Sequence, residues 1–198
     1  MKGEKGEKRR QELLNIAYQL FVRKGYEETS VDEIIAQANI AKGTYYYYFP
    51  SKEATLEAVI DMMINNEVRR AQEILAAPIP VPQKLIGVIN SLHPEQNENN
   101  IADALNKREN IIMHEKVTRR IIDEAVPLLA QVVSEGIEQG VFDCDHVEER
   151  VRMILIMSDR LFDNGSFTSD DIAVFIDIAE KALGARAGTL GYIQELIN

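Results

Sequence analysis

The sequence predicts an all-α protein, and three observations carry that prediction. Apolar residues recur at intervals of three and four along almost the whole chain, strand-like alternation is hard to find, and capping residues, glycines and prolines punctuate the periodic stretches. With 198 residues, 45% of them hydrophobic and 27% charged, the chain has enough apolar material for a sizeable core.

The elements follow in order. Leu13, Ile16, Ala17, Leu20 and Phe21 form one stripe with Arg9, Arg10, Arg23 and Lys24 near its ends, and Gly25 stops it, so a first helix is predicted over 8–24. Ser30-Val31-Asp32-Glu33 matches a capping box and starts a short second helix that buries Val31, Ile34, Ile35 and Ala38. Asn39 suits a left-handed turn, after which 41–49 form a third short helix. Pro50 disfavours helical geometry at Phe49, and Ser51 then caps a long helix that ends at the prolines 78, 80 and 82. Further helices are predicted over 83–92, 100–110 and 111–139, the last bent or divided at Pro127. Two more follow over 145–163 and 170–184, separated by Asn164-Gly165-Ser166, with a short tail helix at 189–196. Asp145 with Glu148 reads as a capping box, and 94–100 as a mobile polar loop.

Charge narrows the function. The net charge of −10 argues against a grip on a polyanion by the whole molecule, yet residues 1–52 hold nine Lys+Arg against seven Asp+Glu, or +2, leaving −12 for the remainder. Only the N-terminal quarter tolerates a polyanion. Cys144 is the single cysteine, which rules out an internal disulfide framework and a zinc cluster and fits a reducing compartment. Asp143-Cys144-Asp145-His146 is a poor metal site because four adjacent ligands rarely close one. With no apolar run of about 18 residues, the protein is read as cytoplasmic with no membrane partner. No nucleophile, base and orienter set stands out, so neither enzymatic activity nor a cofactor is expected.

The most informative stretch is the run Tyr45 to Tyr48, set between Lys42-Gly43-Thr44 and Phe49-Pro50-Ser51-Lys52. Helical neighbours are about 100° apart, so four tyrosines encircle the helix and at most two face inward. The others meet solvent or a partner, and a phenol hydroxyl can donate to a phosphate oxygen, with Lys42, Thr44 and Lys52 as further donors. In a helix-turn-helix the second helix enters the major groove with its early residues at base edges. Gly43 removes a side chain where the backbone must come close, and the helix start at Ser51-Lys52 offers a seat for another phosphate. Double-stranded DNA is the leading partner. The rival is a helical module that holds a protein on its tyrosine face, and salt dependence separates the two.

These residues resemble the TetR family of bacterial transcription regulators, whose N-terminal signature ends in Gly-Thr-x-Tyr-x-x-Phe-x-x-Lys-Glu. Gly43 to Glu53 matches that pattern throughout, and the likeness runs back through Phe21, Gly25, Thr29, Ile34 and Ala38. Ile35, Asn39 and Ala41 depart from the usual alanine, glycine and serine, and the absent serine cap costs ~1 kcal/mol. The resemblance implies a three-helix helix-turn-helix domain over 1–52 and a helical ligand-binding and dimerisation domain over 53–198. It implies that Tyr46, Tyr48, Lys52, Thr29 and Ser30 position the duplex while Lys42, Gly43, Thr44, Tyr45 and Tyr47 read it, with Phe49 in the core. It also implies a homodimer joined through the last two long helices, for which Ile154, Met157, Leu161, Ile172, Phe175, Ile176, Ala179 and Leu183 are candidates. A small-molecule effector is expected to release the repressor from a palindromic operator. Asn66, His93 and Met113 are the candidate lining of its pocket.

Overall fold

The computed structural model describes residues 2–93, 98–107, 110–162 and 166–194. Among them are nine α-helices, one 3-10 turn and no strand, as the all-α reading expects. The helices are α1 (Lys2–Lys24), α2 (Val31–Ala38), α3 (Lys42–Tyr48), α4 (Lys52–Ala76), α5 (Val81–Ser91), α6 (Asn99–Leu105), α7 (Ile111–Glu138), α8 (Val147–Phe162) and α9 (Ser169–Ala182). The chain forms two compact units, 1–66 with 94–117 and 67–93 with 118–198, so α4 and α7 each supply residues to both.

In the first unit α1 buries Leu13, Ala17, Leu20 and Phe21. Gly25 ends α1 at φ 87°, its N–H donating to the Phe21 carbonyl. Ser30 caps α2 through the expected reciprocal bonds with Glu33, and Asn39 closes it in the left-handed region at φ 50°. The Arg9 guanidinium donates to the Ala38 carbonyl at 3.1 Å, which fastens the end of α2 to α1. Residues 94–97 of the anticipated polar loop lie outside the described residues, but Glu98 is buried and Asn99 already belongs to α6. Helix α6 is pinned to α1: the Tyr18 hydroxyl donates to the Glu98 carboxylate at 2.8 Å and the Asn100 amide to the Val22 carbonyl at 2.7 Å.

The second unit is built on one apolar core drawn from the end of α4, α5, α7, α8, α9 and Leu190. Helix α5 begins two residues earlier than anticipated, because Pro82 sits in its first turn, where a missing N–H costs nothing. Helix α7 runs through Pro127 undivided, held by the buried Ala125, Val126, Leu128 and Leu129 around it. The anticipated capping box of Asp145 with Glu148 does not form. Asp145 instead accepts from Arg150 at 2.6 Å, and the same guanidinium donates to the Ala182 carbonyl at 2.8 Å, tying the start of α8 to the end of α9. That ion pair holds the Asp145 carboxyl below its ordinary value. The capping box of this half belongs to α9, between Thr168 and Asp171. Of the predicted tail helix the described part is a 3-10 turn, Gly191–Ile193; residues 195 and 196 lie outside the described residues. The buried Glu180 carboxylate anchors this tail, accepting from the backbone of Leu190 at 2.7 Å and Gly188 at 3.0 Å.

Candidate functional site

Helix α3 resolves which way the four tyrosines point. Lys42, Gly43, Tyr46 and Tyr47 are exposed, Tyr47 at 81%, and they span an arc of roughly 140° on the helix. Thr44 lies about 60° past that arc and Tyr48 nearly opposite its centre, and both are half-buried. Tyr45, expected to read the operator, is fully buried instead, because its direction is the one that faces α4. Its hydroxyl lies 2.5 Å from the Thr55 hydroxyl, and Thr55 in turn donates to the Ser51 carbonyl at 3.1 Å. Tyr45 is therefore the donor, and the pair locks α3 to the first turn of α4. Burial pushes the Tyr45 phenol above its ordinary value.

The flanking residues divide in the same way. Ser30 is exposed beside its capping bonds, whereas Thr29 is fully buried with its hydroxyl donated to the Gly25 carbonyl at 2.8 Å. Thr29 shapes the turn before α2 and has no surface to offer a duplex. Lys52 is half-buried, its ammonium 4.2 Å above the Tyr26 ring and 3.1 Å from the Glu27 carbonyl, and desolvation lowers its pKa. Burial, with Glu53 and Glu27 nearby, pushes the Tyr26 phenol up to about 12. Lys42 leans on Asp32 at 3.2 Å, an exposed pair worth at most about 1 kcal/mol. Ala41 makes no side-chain cap, so the first N–H groups of α3 are left to other partners. A Cβ built on Gly43 meets nothing within 4 Å, so no packing inside the chain requires a glycine there.

The second unit holds a partly open cavity of about 510 Å³ between α5, α7, α8, α9 and the C-terminal turn. Of the three residues expected to line a pocket, His93 does so; Asn66 and Met113 belong to the first unit and do not. The sequence reading overlooked Phe162, Phe167, Ser158 and Asp159, which line it from α8 and the segment after it. The signal was present as three phenylalanines, 162, 167 and 175, within fourteen residues of one another.

The face of α9 assigned to dimer contact is also corrected. Ile172, Phe175, Ile176, Ala179 and Leu183 are buried in the core of their own unit, and Ile154, Met157 and Leu161 pack against it. The exposed apolar residues lie on the other faces: Met153 (70%) and Ile156 on α8, Val174 and Ile178 on α9. Met153 is the most exposed of them.

Known proteins place this geometry. One family profile, described as bacterial regulatory proteins of the tetR family, matches residues 13–59, and a second, described as a tetracyclin repressor-like C-terminal domain, matches residues 93–180. The chain belongs to the TetR family. Within this family of DNA-binding transcription regulators, it is 26% identical over 141 residues to the HTH-type transcriptional repressor KstR2 of Rhodococcus jostii, covering 69% of each chain. It is 23% identical over 190 residues to the uncharacterized HTH-type transcriptional regulator YfiR of Bacillus subtilis, 90% of each. A local match to YuxN of the same species, 40% identical over 62 residues, spans 31% of this chain and 21% of that one. A transcriptional regulator from Cytophaga hutchinsonii shares the TetR fold with a TM-score of 0.64 at 19% identity, over 94% of this chain and 96% of that one. RolR, crystallised with resorcinol, shares it at 0.63 and 19% over 99% and 96%. No helix among the described residues is long and apolar enough to cross a membrane.

Proposed function

We propose that this TetR-family chain is a homodimeric repressor, not an enzyme, that leaves a palindromic operator when a small molecule enters the cavity of its second unit. The observation that carries the reading is the outward arc of α3. Lys42, Gly43, Tyr46 and Tyr47 present an ammonium, a bare stretch of backbone and two phenols, a combination that suits a major groove and its phosphates. Ser30, Thr44 and Lys52 are further donors beside that arc, with the half-buried Tyr48 behind it, Lys52 after exchanging its Glu27 carbonyl for a phosphate oxygen. Two copies joined through Met153, Ile156, Val174 and Ile178 would read half-sites about one helical turn apart, or a multiple of it.

Chain continuity supplies the route from ligand to DNA. Thr118, Ile121 and Ile122 line the cavity from α7, and residues 111–117 of that helix belong to the unit that carries α3. There the bonds from Tyr18 to Glu98 and from Asn100 to Val22 fasten α6 to α1. A ligand that prefers one setting of α7 lowers operator affinity by its differential binding energy. The test is selection of duplexes from a randomised pool by the purified chain, followed by anisotropy titrations at several salt concentrations. A palindromic consensus with steeply salt-dependent affinity is expected. A salt-insensitive, tyrosine-dependent complex with another protein, and no enriched duplex, would sink the proposal.

A further inference from the structure

The lining of the cavity bears on the chemistry of what enters it, granted that the cavity is the effector site. Its volume of about 510 Å³ suits a drug-sized molecule. Phe162 stands edge-to-face with Phe167 at 5.0 Å between ring centroids and with Phe175 at 5.3 Å, and all three rings line the space. Among the described lining residues Asp159 is the one carboxylate, and none is a lysine or arginine. Asp159 precedes Phe162 by one turn of α8, which puts carboxylate and ring on the same helix face. Its neighbour Arg160, 3.9 Å away and 73% exposed, is not part of the wall. At His93 the Nδ1–H donates to the Ile89 carbonyl at 2.8 Å, so in the neutral ring Nε2 is an acceptor.

We infer that the effector is a lipophilic organic cation, an apolar body with an ammonium head, and not a carboxylate or phosphate. An anion placed here would lose its hydration beside Asp159 with no described lysine or arginine on the wall to offset the cost. A cation meets the opposite situation: a carboxylate at 25% exposure, an imidazole acceptor and aromatic rings whose faces attract positive charge.

The test uses the full chain and three probes that share one body: 4-phenylbutylamine, 4-phenylbutanol and 4-phenylbutyrate, each titrated by calorimetry. The amine should bind at least about tenfold more tightly than the carboxylate, with the alcohol between them. Asp159→Asn should bring the amine to the alcohol's affinity, and Asp159→Glu should keep the amine's advantage. If Asp159→Asn does not fold, the ranking in the parent chain decides. Equal or tighter binding of the carboxylate overturns the inference, as does an amine preference untouched by a folded Asp159→Asn. Binding of none of the three by a chain that still retains its selected duplex overturns it too. An amine preference in a chain that retains no duplex supports the ligand class and sinks the repressor proposal, so the two failures are distinguishable.

Discussion

Gly43→Ala separates what α3 needs for folding from what it needs for its partner. An added Cβ meets nothing within 4 Å, and the residue sits in the first turn of a seven-residue helix with no positive φ to maintain. Alanine is better than glycine in a helix by roughly 0.5–1 kcal/mol, and a first-turn position keeps about the lower figure. For a chain of this size that corresponds to a rise in Tm of about 1–2 °C. Against DNA the methyl group stands where backbone would approach the duplex, and the loss of one such contact corresponds to about 1–3 kcal/mol, a roughly fivefold or larger weakening. Thermal unfolding by circular dichroism gives the first quantity and anisotropy with the selected duplex gives the second. A variant that binds as tightly as its parent, or one that loses stability, refutes the assignment of this glycine to an external partner.

Tyr45→Phe removes the buried hydroxyl but leaves Thr55 donating to Ser51, so unfolding experiments should show a loss of about 1 kcal/mol, or roughly 2–4 °C. Lys42→Ala should lower the slope of log affinity against log salt by about 0.9 with little effect on stability, since its partner Asp32 is exposed. If the proposed dimer forms through these faces, Met153→Asp combined with Ile178→Asp should give folded monomers in light scattering where the parent chain gives dimers, because both side chains lie outside their own core. Glu33 is held down to about 2, first by its hydrogen bond from Lys24 and then by the Ser30 backbone. A carboxyl depressed only in the folded chain stabilises fully above its ordinary pKa of 4.5, and that contribution fades as pH falls toward 2. Acid titration should therefore loosen α2 across that window in the parent chain, while Glu33→Gln flattens the profile.

Local chemistry was legible where a residue has one physical use. Ser30 with Glu33, Asn39 at its left-handed turn, Gly25 after α1 and the prolines after α4 all act on neighbouring backbone, and the periodicity between them defines the helices. Orientation was harder to read. Four identical residues carry no phase, so nothing in the run itself says that Tyr45 faces Thr55 while Tyr47 faces outward. On α8 and α9 apolar residues occur on both the core face and the opposite one, and amphipathic counting chose the buried set on α9. The cavity joins His93, Thr118, Asp159 and Phe167, residues that only tertiary packing brings together.

The sharing of α4 and α7 between both units has a practical corollary for engineering. A fragment ending at residue 66 would discard Ile101 and Ala104, both buried, along with the carboxylate that Tyr18 holds and the amide that clasps Val22. The operator reader is thus not a cassette that one scissile point can liberate. A chimaera that swaps sensors must graft a discontinuous piece, keeping 98–117 in register with the donor's α1.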